Sequence, residues 1–281
     1  MSTLNAYATL ADYKDYIRSR NGSVPDDVKD DAIIESLLLS ASRYIDTQTG
    51  RHFYPFIETR YYSVPGVDEV DPRLLNLDAD LLEVITLTNG DGTAIPSTEY
   101  KLQPKNSSPH YGIRLNDIST YYWATDASGD SHDVISVAGI WGCHPRYSIA
   151  WATITTAAEA MDASETGYDV TAGTDFKVAD IIRFDNEFGY ISSILSNTLT
   201  ITRGENGSTA TTHLTSIDVK RWKVFEEAKQ ACLTITDNAY RRRFGQTVTG
   251  TETVTASGIV LSPKDIPTMA AAFIKTYRRY V

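Results

Sequence analysis

Five histidines stand at 52, 110, 132, 144 and 213, and no two share the spacing of a metal pair. The chain has no HExxH, no CxxC and no Walker A motif. Cys143 and His144 are neighbours, the residue types of a thiol nucleophile and its base. Adjacent side chains on a strand point to opposite faces, so each needs a partner brought by the fold. Asp175, Asp180, Asp185 and Glu187 offer carboxylates for a glycosidase pair or a calcium loop, but the oxygen-ligand spacing of an EF-hand is absent. They are expected to line a solvated edge. Residues 203–207, RGENG, have the glycines of a phosphate-binding loop without its Lys-Ser/Thr, and read as a strand-end turn. No catalytic, cofactor-binding or metal residue is assigned, and no enzymatic activity or cofactor is expected.

The remaining chemistry is charge. Net charge is −10 over 281 residues. Residues 1–219 hold 15 Lys and Arg against 31 Asp and Glu, whereas residues 220–281 hold 11 against 5. Arg241, Arg242, Arg243, Lys275, Arg278 and Arg279 are therefore the interface candidates. Guanidinium groups pair bidentately with carboxylates, which favours a protein surface over DNA phosphates as their partner. An acidic body repels DNA, which suits passage rather than binding. No 18-residue apolar run exists, so no membrane span or membrane partner is expected. The N-terminus lacks the basic and apolar regions of a signal peptide. Two cysteines make no disulfide framework and fit a reducing compartment.

Several elements must position these groups. Thr9 and Asp12 form a capping-box pattern before YKDYI. Pro25-Asp26-Asp27 opens a long helix through Gln48, with Ile34, Leu38, Ala41 and Ile45 on one stripe and Gly50 as its stop. From about Phe56 to Ala138 the period turns toward two, with strands in ETRYYSV, LLEVITLTN, YKLQP, YGIRL and DVISVAG. NGDG at 89–92 is a turn. Residues 143–161 read as a short helix or extended linker. Residues 165–220 hold five short β-like segments punctuated by glycines, the composition of a small closed barrel. Helix returns at 222–242, led by Trp222 and Phe225. Residues 245–260 form a threonine-rich hairpin or arm, and a last helix starts near Ser262-Pro263 or Asp265-Ile266-Pro267.

The stretch ASRYIDTQTGRHFYP, followed by TRYYSVPG, resembles the start of tailed-bacteriophage head–tail connector proteins, the adaptor family. LLEVITLTNGDGTAIPSTEYKLQPKN, VAGIWG and IPTMAAAFIKTYRRY resemble later pieces of that family in the same order. The 180–213 pattern, DIIRFDNEFGYISSI…NTLTITRG…H, resembles a small β module of various phage proteins that the basic family unit lacks. The resemblance implies an α+β fold: a helical adaptor core with an antiparallel β region and an inserted small β-barrel-like domain. The expected parts are residues 1–55 (helical part of the core), 56–142 (antiparallel β region), 143–164 (linker), 165–220 (inserted module) and 221–281 (C-terminal helices and arm). The resemblance also implies a virion structural protein, a ring in the neck, commonly of twelve copies (a dodecamer), assembled in the host cytoplasm. Its partners would be further copies of itself, the portal protein, a stopper or tail-completion protein, and genomic DNA in the lumen. Tyr44, Phe53, Tyr54, Trp222 and Phe225 are expected as packing anchors. The competing expectations are a stopper or tail-completion protein and a tail-associated carbohydrate- or host-binding module.

Overall fold

The computed structural model describes residues 5–21, 30–66, 70–243, 253–254, 260–261 and 266–279. Helix α1 (Leu10–Asn21) begins on the expected reciprocal cap. Thr9 Oγ1 accepts the Asp12 N–H at 3.1 Å and Asp12 Oδ2 accepts the Thr9 N–H at 3.0 Å. Helix α2 (Asp31–Thr49) buries Ile34, Leu38, Ala41 and Ile45. It stops at Gly50, whose φ of +66° lets its N–H close on Asp46 O at 2.8 Å. The helix start read at Pro25 lies outside the described residues.

Strands β1 (Phe56–Tyr62), β2 (Leu74–Thr88), β3 (Tyr100–Gln103), β4 (His110–Leu115) and β5 (Ile135–Trp141) form an antiparallel sheet in the order β1-β5-β2-β4-β3. One face packs Leu75, Leu81, Leu87, Ile113 and Val137 around Trp141. Six further strands follow: β6 (Trp151–Thr156), β7 (Gly167–Asp169), β8 (Ile181–Phe184), β9 (Glu187–Leu195), β10 (Thr198–Thr202) and β11 (Asp218–Trp222). Their order is β6-β11-β8-β9-β10-β7. The two edges then meet. Ala157 bridges Val170, and the Thr171 N–H donates to Thr156 O at 3.0 Å. The sheet closes around Tyr168, Phe184, Ile191, Leu199 and Val219.

Helix α3 (Glu226–Arg243) and helix α4 (Thr268–Tyr277) return to pack on α1 and α2. Between them, β12 (Thr253–Val254) pairs with β13 (Val260–Leu261); the rest of the expected 245–260 arm lies outside the described residues.

The expected fold class is overturned. The described chain is mostly β, two antiparallel sheets of five and six strands with four helices, rather than a helical core carrying a small β appendage. Two stretches account for much of the difference. Residues 153–156, TITT, belong to the segment read as helix or linker, but their β-branched side chains suit a pleated strand and they form most of β6. Trp222, read as the first turn of a helix, ends β11 instead. Lys223 N–H still bonds Ala150 O at 2.8 Å, so the chain stays paired and α3 begins only at Glu226. A seam of Leu82, Ile140, Ile181, Phe188, Tyr190 and Trp222 joins the two sheets.

Candidate assembly surfaces

The segment 41–56 is tied into the body through Ser42, Arg43, Asp46, Thr49 and Arg51. The Tyr7 hydroxyl donates to Asp46 and accepts the Phe53 N–H at 2.8 Å. Arg43 pairs with Asp46 at 3.0 Å and lies 4.9 Å from the Tyr54 ring centre. Phe53, fully buried, meets the rings of Tyr7, Phe225, Phe273 and Tyr277 at 5.3–6.3 Å. This aromatic cluster gathers residues from both ends of the chain. Of the expected anchors, Phe53 and Phe225 sit at its centre and Tyr54 at its edge. Trp222 is buried in the seam between the sheets, and Tyr44 is half-buried on α2 outside the helical core.

The C-terminal end is clasped to the same place. The Arg279 N–H donates to Thr49 O at 2.7 Å, satisfying a carbonyl left open at the end of α2. Its guanidinium reaches Leu77 O at 3.3 Å and stands 3.8 Å from Asp80. Asp80 also accepts from Arg51 at 2.8 and 2.9 Å. Burial pushes the Asp80 carboxyl above its ordinary range despite these two cations. Arg279 is thus committed inside its own chain. Arg241 forms a helix pair with Asp237 at 2.9 Å. Arg242, Lys275 and Arg278 are exposed at the helical end of the molecule. The side chain of Arg243 lies outside the described residues.

The barrel carries the groups that sequence reasoning assigned least well. Glu187 is not on a solvated edge; it is 1% exposed. Arg203 donates to both its oxygens at 2.8 and 2.7 Å, and His213 Nε2 lies 2.8 Å from Oε2. The other ring nitrogen of His213 is 3.1 Å from Asp185. Burial alone would raise the Glu187 carboxyl; the hydrogen bonds from Arg203 and His213 outweigh it and hold the group below its ordinary range. Glu187 has no free oxygen for acid–base work, and the cluster pins two strands and a loop together. The residues that build it all fall within the quoted 180–213 pattern, which was the available signal.

The RGENG turn has a role of its own. The Ile57 N–H donates to Asn206 O at 2.7 Å, and the Asn206 side chain reaches Pro55 O at 2.8 Å and Asn5 Oδ1 at 2.9 Å. Gly207 has φ +78°, and a Cβ there would lie 2.1 Å from Ile57 O. The turn is the barrel's grip on β1. A second grip is Arg183, which meets Glu83 at 3.0 Å beside Tyr147, whose hydroxyl donates to Glu83 at 2.7 Å.

Cys143 and His144 form no reactive pair. Burial pushes the Cys143 thiol up to about 12, and Cys232 up to about 11. The His144 ring packs edge-on against Trp222 and Phe225, and its Nδ1 accepts the Arg146 N–H at 3.2 Å. Among the described residues no group of three His, Cys, Asp or Glu is placed to hold a metal ion. No helix among them is long and apolar enough to cross a membrane.

Comparison with protein-family models, with curated proteins and with solved structures finds no match to this chain.

Proposed function

We propose that the protein is a virion structural subunit that assembles as a head–tail connector ring between the portal and the stopper or tail, around the DNA channel. One observation carries this reading. The segments with the connector resemblance lie at opposite ends of the chain, and they converge on one aromatic cluster. ASRYIDTQTGRHFYP contributes Phe53 and IPTMAAAFIKTYRRY contributes Phe273 and Tyr277, with rings 5.3 and 6.0 Å apart. Residues without catalytic chemistry thus act together as one scaffold. The exposed Lys275 and Arg278 at this helical end are offered to the portal.

The mostly β architecture favours one neighbouring reading, a stopper or tail-completion subunit, which would not bind the portal directly. Electron microscopy and native mass measurement of the protein, alone and mixed with its portal protein, decide between them. Closed rings with a central channel on the portal are the expected result. Rings that ignore the portal would support the stopper reading, and single copies in both conditions would sink both.

A further inference from the structure

Two surfaces keep charges that no ion pair neutralises among the described residues. The first is a cleft of about 400 Å³ where the N-terminal segment, the start of α3 and the barrel meet. Its walls hold five cations, Arg146, Lys177, Arg221, Lys223 and Lys229, against Asp12, Asp180 and Glu226. Asp12 takes Lys229 at 2.8 Å and faces Lys177 at 3.8 Å; Arg221 faces Asp180 at 3.6 Å. Arg146 and Lys223 are exposed, and among the described residues neither has an acidic partner. Trp222 completes the wall; it is 4% exposed and its indole N–H meets no acceptor among the described residues.

The second surface is the strap of residues 126–133 across the far end of the five-stranded sheet. Asp126, Asp130 and Asp133 meet no cation among the described residues. Their carboxylates are turned to the strap's own neighbourhood instead. Asp126 accepts the Ser128 and Asp130 N–H groups at 2.8 and 2.9 Å, and Asp130 accepts the His132 N–H at 2.9 Å. The Ser128 hydroxyl also donates to Asp126 at 2.7 Å, and this bond with the N–H groups holds Asp126 below its ordinary range.

β5 runs between the two surfaces. The strap ends just before Ile135, and His144 and Arg146 follow just after Trp141. Seven strand residues span roughly 20 Å, so the strap cannot fold back into its own cleft. A patch that fits another patch of the same chain, and cannot reach it internally, is what a repeating head-to-tail contact needs.

We infer that the cation-rich cleft of one copy receives the acidic strap of the next copy. This rests on the ring reading above and names its lateral contact. The test uses two full-length variants, Arg146→Glu with Lys223→Glu in the cleft, and Asp130→Lys with Asp133→Lys in the strap. All four positions are accessible, and unchanged thermal unfolding checks that each variant folds. Ring formation is measured on the portal by native mass and electron microscopy. Each variant alone is expected to lose ring assembly by about tenfold or more, because like charges then face each other. An equimolar mixture is expected to regain it, because alternating copies restore opposite charges at both kinds of contact. Arg146→Gln with Lys223→Gln should give an intermediate loss. A cleft variant that assembles like the wild type, or a mixture that stays apart, overturns the contact while leaving the ring. Wild-type protein that forms no ring overturns the ring reading itself.

Discussion

The helical unit and the barrel are held together in different ways. The four helices come from both ends of the chain, and their shared core is apolar and aromatic, centred on Phe53, Phe225 and Phe273. The barrel is continuous from Trp151 to Trp222, and inside its wall it buries a carboxylate, a guanidinium and an imidazole. A packed apolar core loses stability with the volume removed, because it relaxes only in part. A buried ion cluster loses it when one member goes, because the others are stranded without water. The difference teaches where each unit is vulnerable: the helices to lost volume, the barrel to lost charge balance.

Arg203→Ala, which leaves Glu187 charged and buried, is one of the two largest expected effects. It should cost about 3–5 kcal/mol of barrel stability. Hydrogen exchange should report lost protection in β8, β9 and β10 first, with the helices following only at higher denaturant. Equal loss across the chain would erase the proposed contrast. Phe53→Ala should cost about 3–5 kcal/mol in the opposite unit, through the cavity it leaves. Its loss of protection should appear in α2, α3 and α4 before the barrel; the reverse order would break the comparison.

The joint between the units is the next target. Gly207→Ala forces a side chain into a left-handed backbone position and against Ile57 O. A cost of roughly 1–3 kcal/mol is expected. The Ile57 amide should exchange faster, with the interior of the barrel unchanged. Thr9→Ala removes the α1 cap and should cost about 1 kcal/mol, read as a small fall in unfolding temperature.

The finest separation needs only acid. Glu187 has a folded pKa held below 4.5, so its contribution is present above that value and is lost as pH falls through the depressed one. Asp80 is raised above 3.8, so its folded form takes up a proton first and its site gains stability over the same fall. Exchange measured down a pH series should weaken the barrel before the junction of α2 and β2. Simultaneous weakening would count against the separate electrostatic plans.

Local structure was legible wherever its causes were local. The Thr9–Asp12 cap, the Gly50 stop and the strands β1 to β5 follow from side-chain type, backbone freedom and period within a few residues of each other. Phe53 and Phe225, expected from the sequence as packing anchors, are both buried. The balance of helix and sheet was not legible. β6 lies in TITT, a stretch too short for period alone to place, and only its pairing with β11 makes it a strand.

By itself the sequence determined the charge asymmetry, the helix caps, most of the first sheet and the connector resemblance, since each rests on neighbouring residues or on order along the chain. Only the tertiary structure decided that the described chain is mostly β, that RGENG grips β1, and that Arg279 meets Thr49 and Asp80. Tertiary contact alone also joins Glu187 to Arg203 and His213, 16 and 26 residues away. Burial and long-range hydrogen bonding depend on what the fold brings opposite a residue, and no local pattern encodes that.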